Sequence, residues 1–349
     1  MLLLKHVFSY ISPFCEQHDS LIIKPLKKTS PLLYRMILLV FAMICGIYIV
    51  SFCIKQISRS MIDDVQIIKM PFPQNATIES TVPLVHYPRP KTFNRSECAQ
   101  NPVRFFAILS MQRSGSGWFE ALLNSHMNLS SNGEIFSSLE RRKNISSIIQ
   151  TLDKVYNLDW FSSASKNECS AAVGFKWMFN QGLIQHHKEI AEYFNQRGVS
   201  AIFLFRRNLL RRMVSVLANS YDRFAKLLNG THKSHVHSEE EASMLSTYKP
   251  VINSTSLIND LKEMEETVAR ALTYFNSTRH IVLYYEDIVQ DKTKLKEVLE
   301  FLKVPVRELM TRQVKIHKGP LLDLISNWDE VHRSLNGTAY ESFINNPDY

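Results

Sequence analysis

No lysine follows the glycine-rich turn of this 349-residue chain, "QRSGSG" at residues 112–117. The Lys-Ser/Thr pair with which a Walker A loop holds β- and γ-phosphates and magnesium is therefore missing, which weighs against an ATPase or kinase. Five cysteines are present, but none forms a Cys-x-x-Cys pair or a Cys/His spacing suited to zinc. His235 and His237, in "HVH", lie in a polar stretch and read as an ordinary solvated loop rather than a metal site. The chain has no arginine-rich run, no basic patch interleaved with aromatics and no internal repeat, so nucleic acid is not an expected partner.

Charge is also absent from residues 36–54, "MILLVFAMICGIYIVSFCI", a run of about the length that spans a bilayer as a helix. Lys24, Lys27, Lys28 and Arg35 precede it with no acid close by, whereas Lys55 and Arg59 are soon followed by Asp63 and Asp64. The positive-inside rule then puts the N-terminus in the cytosol. The run ends in Phe52, Cys53 and Ile54 rather than small residues, so an uncleaved signal anchor is expected instead of a cleaved leader; a buried core helix is the alternative. Sequons begin at Asn75, Asn94, Asn128, Asn144, Asn229, Asn253, Asn276 and Asn336, and none precedes the run. A lumenal, glycosylated portion fits that placement. In an oxidising lumen, a disulfide between Cys98 and Cys169 would persist.

What the chain does have, after a cytosolic tail (1–35) and the anchor (36–54), is a proline-rich, polar stem at 55–103 and then a domain at 104–349. Four apolar runs stand out: "RFFAILS" (104–110), "AAVGFKWM" (171–178), "SAIFLFR" (200–206) and "HIVLYYED" (280–287). Runs that are apolar throughout suit parallel strands covered on both faces. Helical segments separate them at 182–198, 257–275 and 291–304, which predicts an α/β fold with a mainly parallel sheet. Residues 229–256 read as a long surface loop.

The glycine turn falls between the first strand and a helix with Trp118, Phe119, Leu122 and Leu123 on one face. A helix N-terminus offers free amides and a favourable dipole to an anion; glycines permit close approach, Ser116 offers a hydroxyl and Arg113 a permanent cation. A tight turn without a ligand is the plainer alternative. A second element, "AIFLFRRNLLRRMVSVLAN", places Arg207 and Ser215 eight residues apart, so that a turn and a helix bring both to one phosphate. Arg206, Arg211 and Arg212 surround them.

Together "QRSGSGW" and "RNLLRRMVS" resemble the 5'-phosphosulfate loop and 3'-phosphate motif of sulfotransferases, which use 3'-phosphoadenosine-5'-phosphosulfate (PAPS). "LYYEDIVQDKTKLKEVLEFLKV" resembles a later segment of that family, and "KIHKGPLLDLISNWDEVHRSLNGTAYESF" the closing segment of its Golgi, plant and nodulation-protein-H-like members. The resemblance covers residues 104–345. It implies a P-loop-like three-layer fold behind one transmembrane helix, in a type II Golgi membrane protein that transfers a sulfuryl group without a metal. The acceptor would be a carbohydrate, with protein tyrosine as the alternative; a homodimer is left open. Arg113, Ser114, Gly115, Ser116, Gly117 and Trp118 would hold the 5'-phosphosulfate, Arg207 and Ser215 the 3'-phosphate, with Lys318 and Gly319, near Lys315, as a C-terminal contact. Many relatives carry two hydroxyl residues after the loop glycine, whereas here Ser116 is followed by Gly117.

For the chemistry, the resemblance to lumenal members suggests Glu134 as general base, against a simple cap or ion pair. His126, His186 and His187 are the imidazole alternatives, each read as structural. Lys176 is a charge inside an apolar strand, so it must meet either a carboxylate or the cofactor's sulfate. Glu120 reads as solvated. A nucleotide-dependent phosphotransferase and an inactive glycan-binding glycoprotein remain as other functional classes.

Overall fold

The computed structural model describes residues 102–160 and 170–345, with six separate positions between 36 and 46. Those six, Met36, Leu39, Val40, Phe41, Met43 and Gly46, are helical. Among the described residues no helix is long and apolar enough to cross a membrane. Most of the anchor at 36–54, the stem as far as residue 101, Cys98 and Cys169 lie outside the described residues.

Five strands form one sheet: β1 (Arg104–Ser110), β2 (Leu129–Ser131), β3 (Ala172–Met178), β4 (Val199–Phe205) and β5 (His280–Tyr284). Their order is β2-β3-β1-β4-β5, and each neighbouring pair is parallel. The expected strands are found, the last one shorter: the chain turns into a helix at Tyr285. The three-residue β2 has no signal in the sequence.

Alternate residues divide the sheet's two faces, as strand geometry requires. Ala107, Leu109, Phe175, Trp177, Phe203 and Phe205 pack on one side against α2 (Ile145–Tyr156), α3 (His187–Arg197), α4 (Leu209–Ala225), α6 (Leu257–Tyr274) and α9 (Trp328–Leu335). On the other side Phe106, Ile108, Ile202 and Leu204 meet α1 (Ser116–Ser125), α7 (Tyr285–Gln290) and α8 (Thr293–Phe301). Three layers result. Within the expected long loop the structure has a further helix, α5 (Glu239–Ser246), begun by Ser238, whose side chain accepts the Glu241 amide.

Two residues of β3 on the α1 side show why the layers register. Gly174 is so close to β1 that an added Cβ would lie 2.3 Å from the Phe106 carbonyl oxygen and 2.6 Å from its ring. Two positions on, buried Lys176 reaches Glu120 of α1, Nζ to Oε2 at 3.2 Å. Glu120 is thus buried and paired rather than solvated, because α1 turns it inward against the one cation of the strand. Its Oε1 accepts bonds from Ser131 Oγ (2.6 Å) and the Gly133 amide (3.0 Å).

The sequons sort by accessibility. Asn144, Asn229, Asn253, Asn276 and Asn336 are exposed, whereas Asn128 is 2% exposed at the start of β2, its carbonyl accepting the Ala171 and Ala172 amides. Asn128 is closed to a glycan in the folded chain.

Two substitutions test this packing. Gly174→Ala forces β3 and β1 apart and should cost about 1–3 kcal/mol of stability, read as a lower midpoint in urea unfolding. Glu120→Ala leaves Lys176 without its nearest carboxylate and should cost roughly 3 kcal/mol by the same measurement. A midpoint unchanged by Glu120→Ala would show that the ion pair does not hold α1 on the sheet.

Candidate functional site

Strand β1 lies between β3 and β4, so connections leave its two sides in opposite directions and a crevice opens at the strands' carboxyl ends. The glycine turn emerges there. Arg113 has φ 65° and Gly115 φ 85°, the left-handed region that glycine enters freely and arginine seldom. Helix α1 follows with no side chain capping its N-terminus. Its first-turn amides, which have no acceptor within the helix, belong to residues lining a cleft of about 430 Å³.

The two loop glycines have a purpose the sequence does not reveal. An added Cβ at Gly115 would lie 2.3 Å from Tyr285 Cδ2, and one at Gly117 would lie 2.2 Å from Cε1 and Nε2 of His235. Rings of this chain cover the loop at both glycines, and Gly115 also needs the left-handed backbone that glycine enters freely. Tyr285 meets Trp118 edge-on at 5.4 Å.

Cations gather around the same cleft. Arg113 Nε donates to Ser215 Oγ of α4 (2.9 Å), and its Nη1 donates to the Ser234 carbonyl (2.8 Å). Burial, then the charges of Arg206 and Arg223, push its guanidinium down to about 10, still protonated at neutral pH. Arg206, Arg223, Lys176 and Lys315 also line the cleft. On its wall, Glu134 stands 3.8 Å from Lys176 Nζ and accepts a short bond from Gln181 Nε2. Gln181 sits in the irregular turn Phe179–Leu183 that ends β3, where Gly182 at φ 84° bends the chain back.

Of the residues singled out from sequence, Arg113, Gly115, Ser116, Gly117, Trp118, Glu134, Lys176 and Ser215 line the cleft. Ser114 lies fully buried beneath the loop, its hydroxyl without a hydrogen-bond partner. Arg207 is turned away: Nη2 and Nε donate to Asp287 at 2.6 and 3.2 Å, and the guanidinium lies 3.8 Å from the Tyr284 ring centroid. The carboxylate bond raises its pKa. Arg206, one residue earlier, lines the cleft, 3.9 Å from Glu286. Consecutive residues leaving a strand diverge, which motif spacing alone does not register. Lys318 pairs with Glu239 at 2.7 Å, and the Gly319 carbonyl accepts from Arg211 (3.0 Å); neither residue lines the cleft, whereas Lys315 and His317 do.

Two of the three histidines weighed from sequence have structural partners. His126 ends α1 and bonds the Pro305 carbonyl (2.8 Å), His187 stacks on Tyr274 at 3.6 Å, and His186 precedes α3. The cleft imidazoles are instead His235 and His317. His235 is exposed to the cleft, yet the surrounding walls displace enough water that desolvation, followed by the charges of Lys176, Arg113 and His237, holds it down to about 4. Desolvation, then Arg113, Arg206 and Lys315, does the same to His317. Both rings are neutral at pH 7. His235 was missed because "HVH" reads as solvated; the signal available was the glycine at 117, where the sulfotransferase resemblance implies a hydroxyl.

Among the described residues no group of three or more His, Cys, Asp or Glu side chains is arranged to hold a metal ion. The donor set instead suits a multiply charged anion: several cations and one uncapped helix end meet in one cavity.

No protein-family model matches the chain. Two nodulation protein H sequences do. One from Rhizobium meliloti is 24% identical over 252 residues, 70% of this chain and 96% of the relative; one from R. meliloti strain 1021 is 25% identical over 253 residues with the same coverage. Among solved structures, a sulfotransferase from Alicyclobacillus acidocaldarius is 12% identical, covering 61% of this chain and 86% of its own, at a TM-score of 0.34. A mouse sulfotransferase complexed with PAP is 13% identical, covering 58% and 60%, at a TM-score of 0.30. Similarity along nearly the whole of nodulation protein H, together with a glycine loop opening into a cationic cleft, supports a sulfotransferase enzyme of the PAPS-dependent kind.

Proposed function

We propose that the chain transfers the sulfuryl group of PAPS to a hydroxyl of a carbohydrate acceptor, in the Golgi lumen, as a type II membrane glycoprotein. The observation that carries the chemistry is the meeting, in one cleft, of the uncapped α1 terminus, the cations Arg113, Arg206 and Lys176, and the carboxylate Glu134. The lumenal placement rests on the charge asymmetry around residues 36–54 and on sequons confined to its far side.

PAPS supplies an activated sulfuryl group. In this reading the loop from Arg113 to Trp118 holds the 5'-phosphosulfate, and Ser215 with Arg206 the 3'-phosphate. Glu134 takes the acceptor's proton as its oxygen bonds to sulfur. The bond from sulfur to the bridging oxygen breaks, and the first-turn amides and Lys176 offset the charge left on the phosphate. Gln181 and Lys176 orient Glu134 from two sides. A second cleft of about 680 Å³ shares Gln112 and Val216 with the first and carries Asn180, Asn253, Asp260 and Glu263 among apolar residues. Those side chains supply the hydrogen-bonding groups that a polyhydroxyl acceptor needs.

Calorimetric titration of the full chain with adenosine 3',5'-bisphosphate (PAP) should show tight binding, and ATP with magnesium should bind far more weakly. The reverse order would move the protein to the phosphotransferases. Glu134→Gln should lower kcat by about 10²-fold or more while leaving PAP affinity unchanged; full activity would remove the base assignment. Arg206→Ala should weaken PAP about tenfold, the loss of one charge-assisted contact. Arg207→Ala, which gives up its surface pair with Asp287 and its contact with the Tyr284 ring, both outside the cleft, should stay within about twofold.

A further inference from the structure

The space beside Gly117, where the sulfotransferase resemblance implies a hydroxyl, is filled by the tip of His235. Side chain and glycine are complementary: a Cβ at 117 would lie 2.2 Å from the ring tip, so any other residue there has to push the imidazole aside. The backbone that carries the imidazole is held on both sides. Ser234, before it, gives its carbonyl to Arg113, and Val236, after it, is fully buried and accepts the Val314 amide at 3.0 Å. Further back, Asp222 of α4 bonds both the Leu227 amide (2.9 Å) and His232 Nδ1 (2.6 Å), fixing the segment to the helix that carries Ser215. The result is a placed imidazole, open to the cleft between Arg113 and Lys176.

We propose that His235 contacts the cofactor: seated over Gly117, its ring N–H supplies the side-chain hydrogen bond to the phosphosulfate that a hydroxyl at 117 would otherwise make. A neutral imidazole carries one N–H donor, and a bond from it to an anionic oxygen is charge-assisted. Exchanging a hydroxyl on the loop for a ring from another segment also makes the loop's donor set depend on residues 227–236 being docked. The inference rests on the PAPS reading above.

PAP titrated into the full chain provides a readout independent of turnover. His235→Ala should weaken PAP about tenfold. Adding Gly117→Ser to that variant should recover most of the affinity, because the vacated space receives a hydroxyl, whereas adding Gly117→Ala should not. His235→Ala binding PAP as tightly as wild type, or alanine at 117 restoring affinity as well as serine, would overturn the proposal while leaving the PAPS reading intact. Wild-type protein that binds no PAP would overturn both. Matching thermal unfolding midpoints across the variants exclude a folding defect as the cause of weak binding.

Discussion

Lys176 lies in a strand buried on both faces, and a lone ammonium there would be costly, so the architecture of the site follows from how that charge is met. Glu120 meets it from α1, which ties the helix after the loop to β3 rather than only to β1. The same carboxylate holds Ser131 and the Gly133 amide, the residues just before Glu134. One ion pair therefore positions the start of α1, the exit of β2 and the carboxylate proposed as base. Glu134 comes within reach of Lys176 as a consequence.

Around that pair, the parallel winding does the rest. With β1 between β3 and β4, the segments leaving all three strands converge at one edge, bringing Arg113, Gln181 and Arg206 into the same neighbourhood from positions distant in sequence. Cations so close together repel, and the low pKa of Arg113 reflects this as well as burial. A multiply charged anion relieves exactly that repulsion in physical terms, by neutralising several cations at once.

The strands and the turn were legible in sequence because strands covered on both faces leave continuous apolar runs, and glycine with serine interrupts the run where strand passes into helix. Less was legible where the pattern is short or its meaning depends on a partner. Three-residue β2 is below any period, and α5 begins in a segment too polar to show one. Glu120 read as solvated because Lys176 is 56 residues away, and Arg207 and Arg206 differ only in which way the chain turns at the end of β4.

By itself, the sequence determined the α/β class and the strand-loop-helix that offers an anion site, because these depend on local periodicity and backbone freedom. Tertiary structure alone decided which arginine lines the cleft, that Glu120 is the partner of Lys176, and that His235 covers Gly117. Those are contacts between distant segments, set by how the layers pack, and no local pattern encodes them.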